Sequence, residues 1–219
     1  MFRIADVLDQ HFLVAAREAL ADPSLFEDGK LTAGWAAKTV KRNLQASASK
    51  LERGLVEKIE AALLAHPVFL AAARPKRLIR TRISRYEPGM AYGWHVDDAV
   101  IEGGRTDLAF TLFLSEPDSY AGGELVIDAT EGESEIKLPA GHVLLYPATT
   151  LHRVNDVTSG VRLVAFGWVR SLVRRHDQRE ILFDLDLAAR AVFEREGKSE
   201  TFDRLAKAKA NLLRLWVED

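Results

Sequence analysis

The chain has 219 residues, room for one large domain, or one domain with a small appendage, that buries a sizeable core without staples. Hydrophobic residues make up 47% and charged residues 28%, as in ordinary soluble globular proteins, and a formal net charge of -2 gives no global pull toward nucleic acid or an anionic membrane. The absence of cysteine excludes disulfides, Cys-based zinc sites and thiolate nucleophiles. The start, Met1-Phe2-Arg3-Ile4-Ala5-Asp6, lacks the basic and apolar regions of a signal peptide. The apolar run 61–73 is cut by His66 and Pro67 and is too short to span a bilayer. A cytoplasmic protein with no membrane or nucleic-acid partner is expected.

Residues 1–75 read as helical. Asp9 caps a predicted helix with the apolar face Leu13, Ala16 and Leu20, and Pro23 stops it. The polar stretch 26–45 reads as loop or mixed structure. Ser49, with Glu52 three residues on, is a capping-box signal for a second helix. Its predicted face is Leu51, Leu55, Ile59 and Leu63, and His66-Pro67 ends it. Residues 76–170 change character. Predicted strands lie near 77–86, 107–115, 123–128, 134–138, 142–146, 150–154 and 161–169, between turn residues such as Pro88-Gly89 and Gly122-Gly123. Short strands at this spacing predict a sandwich or barrel. No Gly-rich phosphate loop follows a strand and opens a helix, so a nucleotide-binding α/β fold is unsupported. Residues 171–219 are helical again. Ile181, Leu185, Ala188 and Val192 form one predicted face, Gly197 breaks it, and Phe202, Leu205, Leu212 and Trp216 form the next. Both stripes read as core. The chain therefore reads as α+β, a β core over 76–170 with helices from 1–75 and 171–219 packed on it.

Of six histidines, His11, His66 and His176 sit at helices or helix ends, and His142 reads as a strand residue facing solvent or a polar neighbour. His95 and His152 remain, both in the β part. His95 and Asp97 are i and i+2, which share a face on an extended chain. One imidazole nitrogen and one carboxylate oxygen then reach a single ion. His152, 57 positions later, supplies a third ligand. Two histidines and a carboxylate on one side of an ion leave open positions, the arrangement of non-haem Fe(II) sites that bind substrate and dioxygen together. Arg162 follows His152 by ten residues across the polar turn 155–160, and a hairpin would set the two side by side. Arg162 shares strand parity with Val164, Phe166 and Trp168, an apolar face that points inward. An inward guanidinium is costly unless it meets an anion, and it clamps a carboxylate through two parallel hydrogen bonds. A dicarboxylate such as 2-oxoglutarate needs that clamp at one end while its keto acid chelates iron.

The run Arg85-Tyr86-Glu87-Pro88-Gly89-Met90-Ala91-Tyr92-Gly93-Trp94-His95-Val96-Asp97-Asp98-Ala99 closely resembles bacterial PKHD-type hydroxylases, Fe(II)- and 2-oxoglutarate-dependent oxygenases related to prolyl hydroxylases. The resemblance continues through Ala121-Gly122-Gly123-Glu124-Leu125, 147–154, 161–168, 40–45, 182–186 and 211–214. It implies a double-stranded β-helix (jelly-roll) core with flanking N- and C-terminal helices. It implies iron ligands at His95, Asp97 and His152 and a 2-oxoglutarate contact at Arg162, all four serving catalysis. Tyr86 lies on the strand before the metal loop, where related hydroxylases often set a Tyr hydroxyl on a 2-oxoglutarate carboxylate; it reads equally as a packed core Tyr. The implied co-substrates are 2-oxoglutarate, released as succinate, and dioxygen, with L-ascorbate as a reductant. The resemblance suggests a small-molecule or peptidyl substrate without identifying it. The chain departs from the family's usual Phe and Asn at Trp94 and Asp98. A full Asp97 carboxylate argues for hydroxylation over halogenation, which leaves that position small for chloride.

Tyr146, Phe166 and Trp168 read as core packing or pocket lining, and Lys41, Arg42 and Asn43 as a solvated loop or a substrate-facing one. Two other readings stand beside the hydroxylase. A nucleic-acid demethylase shares the metal pattern but needs a basic groove, and 30 Lys and Arg against 32 acids show no such stripe beside the metal loop. A metal-binding jelly roll that senses a ligand without turnover has the same metal site. An isologous homodimer is the expected assembly, through the apolar C-terminal helices.

Overall fold

The computed structural model describes residues 1–218. Strand β1 (Phe2–Ile4) precedes α1 (Gln10–Ala19), where the Asp9 side chain accepts from Phe12 N. Strands β2 (Phe26–Asp28), β3 (Lys41–Arg42) and β4 (Leu44–Ala46) lie in the stretch expected to be loop or mixed structure. They have two or three residues each, too few to show a period. Helix α2 (Lys50–Ala65) is capped by Ser49, whose hydroxyl accepts from Glu52 N, a cap that contributes about 1 kcal/mol. His66 closes α2 and caps α3 (Pro67–Ala73), a helix that the Pro67 stop signal had hidden.

The β part follows in order: β5 (Pro75–Tyr86), β6 (Ala91–His95), β7 (Val100–Ile101), β8 (Gly104–Arg105), β9 (Leu108–Phe113), β10 (Tyr120–Gly122), β11 (Leu125–Ala129), β12 (Gly132–Ile136), β13 (Val143–Pro147), β14 (His152–Val154), β15 (Val157–Gly160) and β16 (Arg162–Ser171). Helices α4 (His176–Glu196) and α5 (Glu200–Trp216) complete the chain. Seven strands form one antiparallel sheet in the order β1-β13-β9-β16-β5-β4-β2, and five form a second, β12-β11-β14-β6-β3. Ribbons β10-β15 and β7-β8 stand apart.

Alternation along the large sheet divides the core in two. Leu108, Phe110 and Leu112 on β9, Val143 and Leu145 on β13, and Leu163 and Ala165 on β16 pack with α1, α2 and α3. Ala109, Phe113, Leu144, Tyr146 and Val164 face the other way, onto Leu125, Ile127, Ile136 and Val154 of the small sheet. Helices, large sheet and small sheet thus form three layers, a jelly-roll core with flanking helices.

Three predicted helix faces need correction. Leu51 is exposed and Glu52 is buried in its place, because steps of four residues drift around a helix of 3.6 residues per turn. On α4 the buried positions are Arg179, Leu182 and Ala189, one residue out of phase with the expected face, and Ile181 is exposed. No residue of α5 is fully buried; Phe202 and its neighbours pack half-covered, with the Phe202 ring 5.1 Å from Phe193. Among the described residues no helix is long and apolar enough to cross a membrane.

Candidate active site

The chemistry-bearing residues meet between the two sheets, in a cavity of about 590 Å³. His95 ends β6 and His152 opens β14, and the two are direct partners in the antiparallel register of these strands. Their rings lie 4.2 Å apart at 54°. Asp97 follows two residues after His95, with Oδ1 3.9 Å from His152 Nε2. One ligand atom from each of His95, Asp97 and His152 lies within 4.8 Å of the others, so the three could hold one metal ion.

The hydrogen bonds of the two imidazoles decide which nitrogens remain. His95 Nδ1 is 2.8 Å from Gly93 O, and His152 Nδ1 is 2.9 Å from Thr150 O. A carbonyl oxygen only accepts, so both Nδ1 atoms carry the proton and donate. Both Nε2 lone pairs are therefore free for a cation, the usual support of a metal-binding histidine. Tyr92 stacks on His95 at 3.6 Å and 14°, and Tyr146 meets His152 edge-on at 5.2 Å. These contacts fix the ring planes.

The electrostatics also fit a cation. Burial, then the neighbouring His152, pull the His95 pKa down to about 3. Burial pushes the Asp97 carboxyl up, while His152 and the Trp168 indole favour its ionised form. Asp97 Oδ2 is buried and has no hydrogen-bond partner. A buried carboxylate with an unused oxygen is costly until a positive charge meets it.

Arg162 lies in the same cavity but not by the expected route. Strand β14 pairs with β11 and β6, whereas β16 pairs with β5 and β9 in the other sheet. The segment between them forms β15, which pairs with β10, so no hairpin joins His152 to Arg162. The guanidinium faces the histidines across the sandwich. It is 1% exposed, its Nε has no partner, and it pairs with no carboxylate among the described residues. Tyr86 is its cross-strand partner, with the guanidinium 5.0 Å from the ring centre, and Phe113 lies at 5.7 Å. Burial raises the Tyr86 pKa, and Arg162 and Asn43 oppose the rise.

Tyr146, Phe166 and Trp168 all line the cavity, as do Lys41, Asn43, Trp94 and Asp98. Arg42 does not; it turns outward to Asp156 at 2.9 Å. Arg82 lines the cavity and was missed. Strand parity with Tyr86 would have found it, because positions 82, 84 and 86 of β5 share a face.

Gly123, expected as a turn residue, has a second role. Its φ is +67°, and a Cβ there would lie 2.9 Å from Val157 Cγ2 and 3.0 Å from Arg162 Cδ. Only glycine leaves the guanidinium stem its place. Gly123→Ala is expected to cost about 2–4 kcal/mol, from left-handed strain and overpacking, measured by urea unfolding. Stability equal to wild type would contradict this.

The signature of the 2OG-Fe(II) oxygenase superfamily matches residues 81–170, the span that carries every residue just described except Lys41, Arg42 and Asn43. The signature of the PKHD-type hydroxylase C-terminal domain matches residues 177–218, the α4–α5 pair. Solved structures share the fold. A Pseudomonas putida prolyl-4-hydroxylase aligns with a TM-score of 0.56 at 18% identity, over 78% of this chain and 91% of that one. A viral collagen prolyl hydroxylase from Paramecium Bursaria Chlorella virus-1 aligns at 0.54 and 19%, over 78% and 95%. With these features the chain is an enzyme of the 2OG-Fe(II) oxygenase class. A PKHD-type hydroxylase of Picosynechococcus is 50% identical over 218 residues, 99% of both chains, and one of Maricaulis maris is 54% identical over 194 residues, 89% of both. The chain belongs to the PKHD-type hydroxylase family.

Proposed function

We propose that this chain hydroxylates a small-molecule or peptidyl substrate, with Fe(II) held by His95, Asp97 and His152 and 2-oxoglutarate anchored by Arg162 and Tyr86. The carrying observation is the pair of free Nε2 atoms, beside an unused carboxylate oxygen, facing a buried guanidinium that pairs with no carboxylate among the described residues. When bound, iron would let dioxygen act as the oxidant, with one oxygen atom entering succinate as 2-oxoglutarate loses carbon dioxide and the other entering the substrate.

The residues of the chain do the rest. Gly93 O and Thr150 O hold each imidazole in the tautomer that leaves Nε2 open. Tyr92 and Tyr146 keep the rings from turning. Arg162 takes a carboxylate in its planar fork, with the Tyr86 hydroxyl as a second donor. Leu125 and Val164, both buried, line the cavity with apolar surface that excludes water.

Anaerobic titration of the protein with Fe(II) and then 2-oxoglutarate tests this. A metal-to-ligand charge-transfer band is expected at one equivalent of each. Its absence, under conditions where a known oxygenase shows one, sinks the proposal. Succinate release in air then separates an enzyme from a sensor that binds the same pair without turnover.

A further inference from the structure

The chain carries a net charge of -2, yet its main cavity is cationic. Lys41, Arg80, Arg82 and Arg162 line it, against the carboxylates of Asp97 and Asp98. Arg80 is taken, since its Nε lies 2.9 Å from Glu102 Oε1. Arg162 is assigned above to 2-oxoglutarate, and with that assignment the charges of Fe(II), Asp97, 2-oxoglutarate and Arg162 cancel. Lys41 and Arg82 are left over.

Neither forms an ion pair among the described residues. Lys41 sits on β3 opposite Tyr92 and is 4% exposed. Its ammonium lies 5.1 Å over the Tyr92 ring, the same ring that stacks on His95. Its one hydrogen bond is a long 3.3 Å contact to Thr32 Oγ1, and it forms no ion pair among the described residues. Asp28 and Asp97 act on it only from a distance, and Arg82 works against them. Arg82 stands on β5 opposite Phe166, on the same strand face as Ser84 and Tyr86. Arg82 forms no hydrogen bond or ion pair among the described residues, and the Glu52 carboxylate acts on it only from beyond ion-pair distance. Two cations on neighbouring walls of one cavity, one of them almost fully desolvated, are unfavourable unless an anion enters between them.

We infer that Lys41 and Arg82 form the anchor for an oxyanion on the primary substrate, a carboxylate or a phosphoryl group. The inference rests on the oxygenase reading, because it assigns Arg162 to the co-substrate. The shared Tyr92 ring sets the anchor beside the metal-binding end of the cavity. The carbon to be oxidised is therefore close to the anionic group, not at the far end of a long chain. Trp94, Val40 and Phe166 line the same space and provide apolar contacts for the body of the substrate.

The test uses the full chain loaded anaerobically with Fe(II) and saturating 2-oxoglutarate, so that Arg162 is already engaged. Hexanoate, hexyl phosphate and the neutral hexanamide are titrated at equal concentrations, and the thermal midpoint is followed. The two acids are expected to raise the midpoint and the amide is not; the tighter acid names the group. In Lys41→Met and in Arg82→Met the apparent affinity for the acids is expected to fall about tenfold or more. The charge-transfer band is read in the same samples and is expected to persist. No preference for the acids over the amide in wild type overturns the inference, and so does an unchanged response in both variants. A lysine that merely balanced Asp97 would instead weaken metal binding in Lys41→Met and leave the acid response intact. Arg82, partly exposed, provides the variant in which folding is least at risk. Loss of the band in wild type would fail the oxygenase reading, a result separate from either outcome here.

Discussion

Asp97→Asn is expected to abolish stabilisation of the protein by divalent metal while leaving the metal-free protein at least as stable as wild type. In wild type, Mn(II) at about one hundred times its dissociation constant adds about 2.7 kcal/mol, or roughly 5–10 °C in midpoint for a chain of this size. The variant loses the anionic ligand and with it that shift. The second half of the prediction follows from burial. The Asp97 carboxyl is pushed above its usual value of 3.8 chiefly by desolvation, so the ionised form costs the folded state stability. That cost is complete at pH above the raised pKa. It disappears as the pH falls through that pKa toward 3.8, where the folded carboxyl has taken up its proton. Asn removes it at every pH. Differential scanning fluorimetry at neutral pH, with and without Mn(II), measures both effects. A variant that keeps the metal-induced shift would remove Asp97 from the proposed ligand set.

Arg162→Met should separate binding from stability in the same manner, at the opposite end of the cavity. Truncating one side of a buried charge pair costs about 2–5 kcal/mol of binding, so the dissociation constant for 2-oxoglutarate is expected to rise between about thirtyfold and several thousandfold. Metal affinity in the absence of 2-oxoglutarate should hold, because Arg162 belongs to the other sheet and touches none of the proposed ligands. The ligand-free variant should be more stable than wild type, since an apolar side chain replaces a 1% exposed guanidinium without a carboxylate partner. Calorimetric titration of 2-oxoglutarate into the Mn(II) protein, paired with urea unfolding, checks both signs. A change in affinity below about threefold would assign the co-substrate elsewhere.

The sequence made His95, Asp97, His152, Arg162 and Tyr86 visible because each is a chemically costly residue at a position with a readable face. Their relative placement was less visible. The His152–Arg162 hairpin rests on ten residues of separation and a polar stretch that reads as one turn, but most of that stretch is strand β15. The chain between them leaves to pair β15 with β10, a long-range choice that no local pattern records. Strand β6 was missed for a related reason. Gly93 interrupts an aromatic run just after Pro88-Gly89 and so resembles a turn. In the fold it is glycine because Val40 crosses close by, with a Cβ at position 93 falling 2.8 Å from Val40 Cβ. The phase of α4 was ambiguous because Ile181, Leu182, Phe183, Leu185 and Leu187 leave little polar contrast around the helix. Polar contacts settle it: Arg179 donates to Val173 O at 2.8 Å, and Arg74 reaches Asp186 at 2.6 Å. The Arg74–Asp186 contact joins elements far apart in the chain and has no local signature.

The direct pairing of His95 with His152 bears on how the protein acquires its metal. These strands meet only after the chain between them has closed a loop of 57 residues, an entropic cost of roughly 3–4 kcal/mol. Before that closure the unfolded chain offers His95 and Asp97 alone, a two-point site of low affinity. Metal therefore cannot nucleate this fold. It is captured by a sheet that is already assembled, so refolding rates should be indifferent to metal and unfolding rates should slow in its presence.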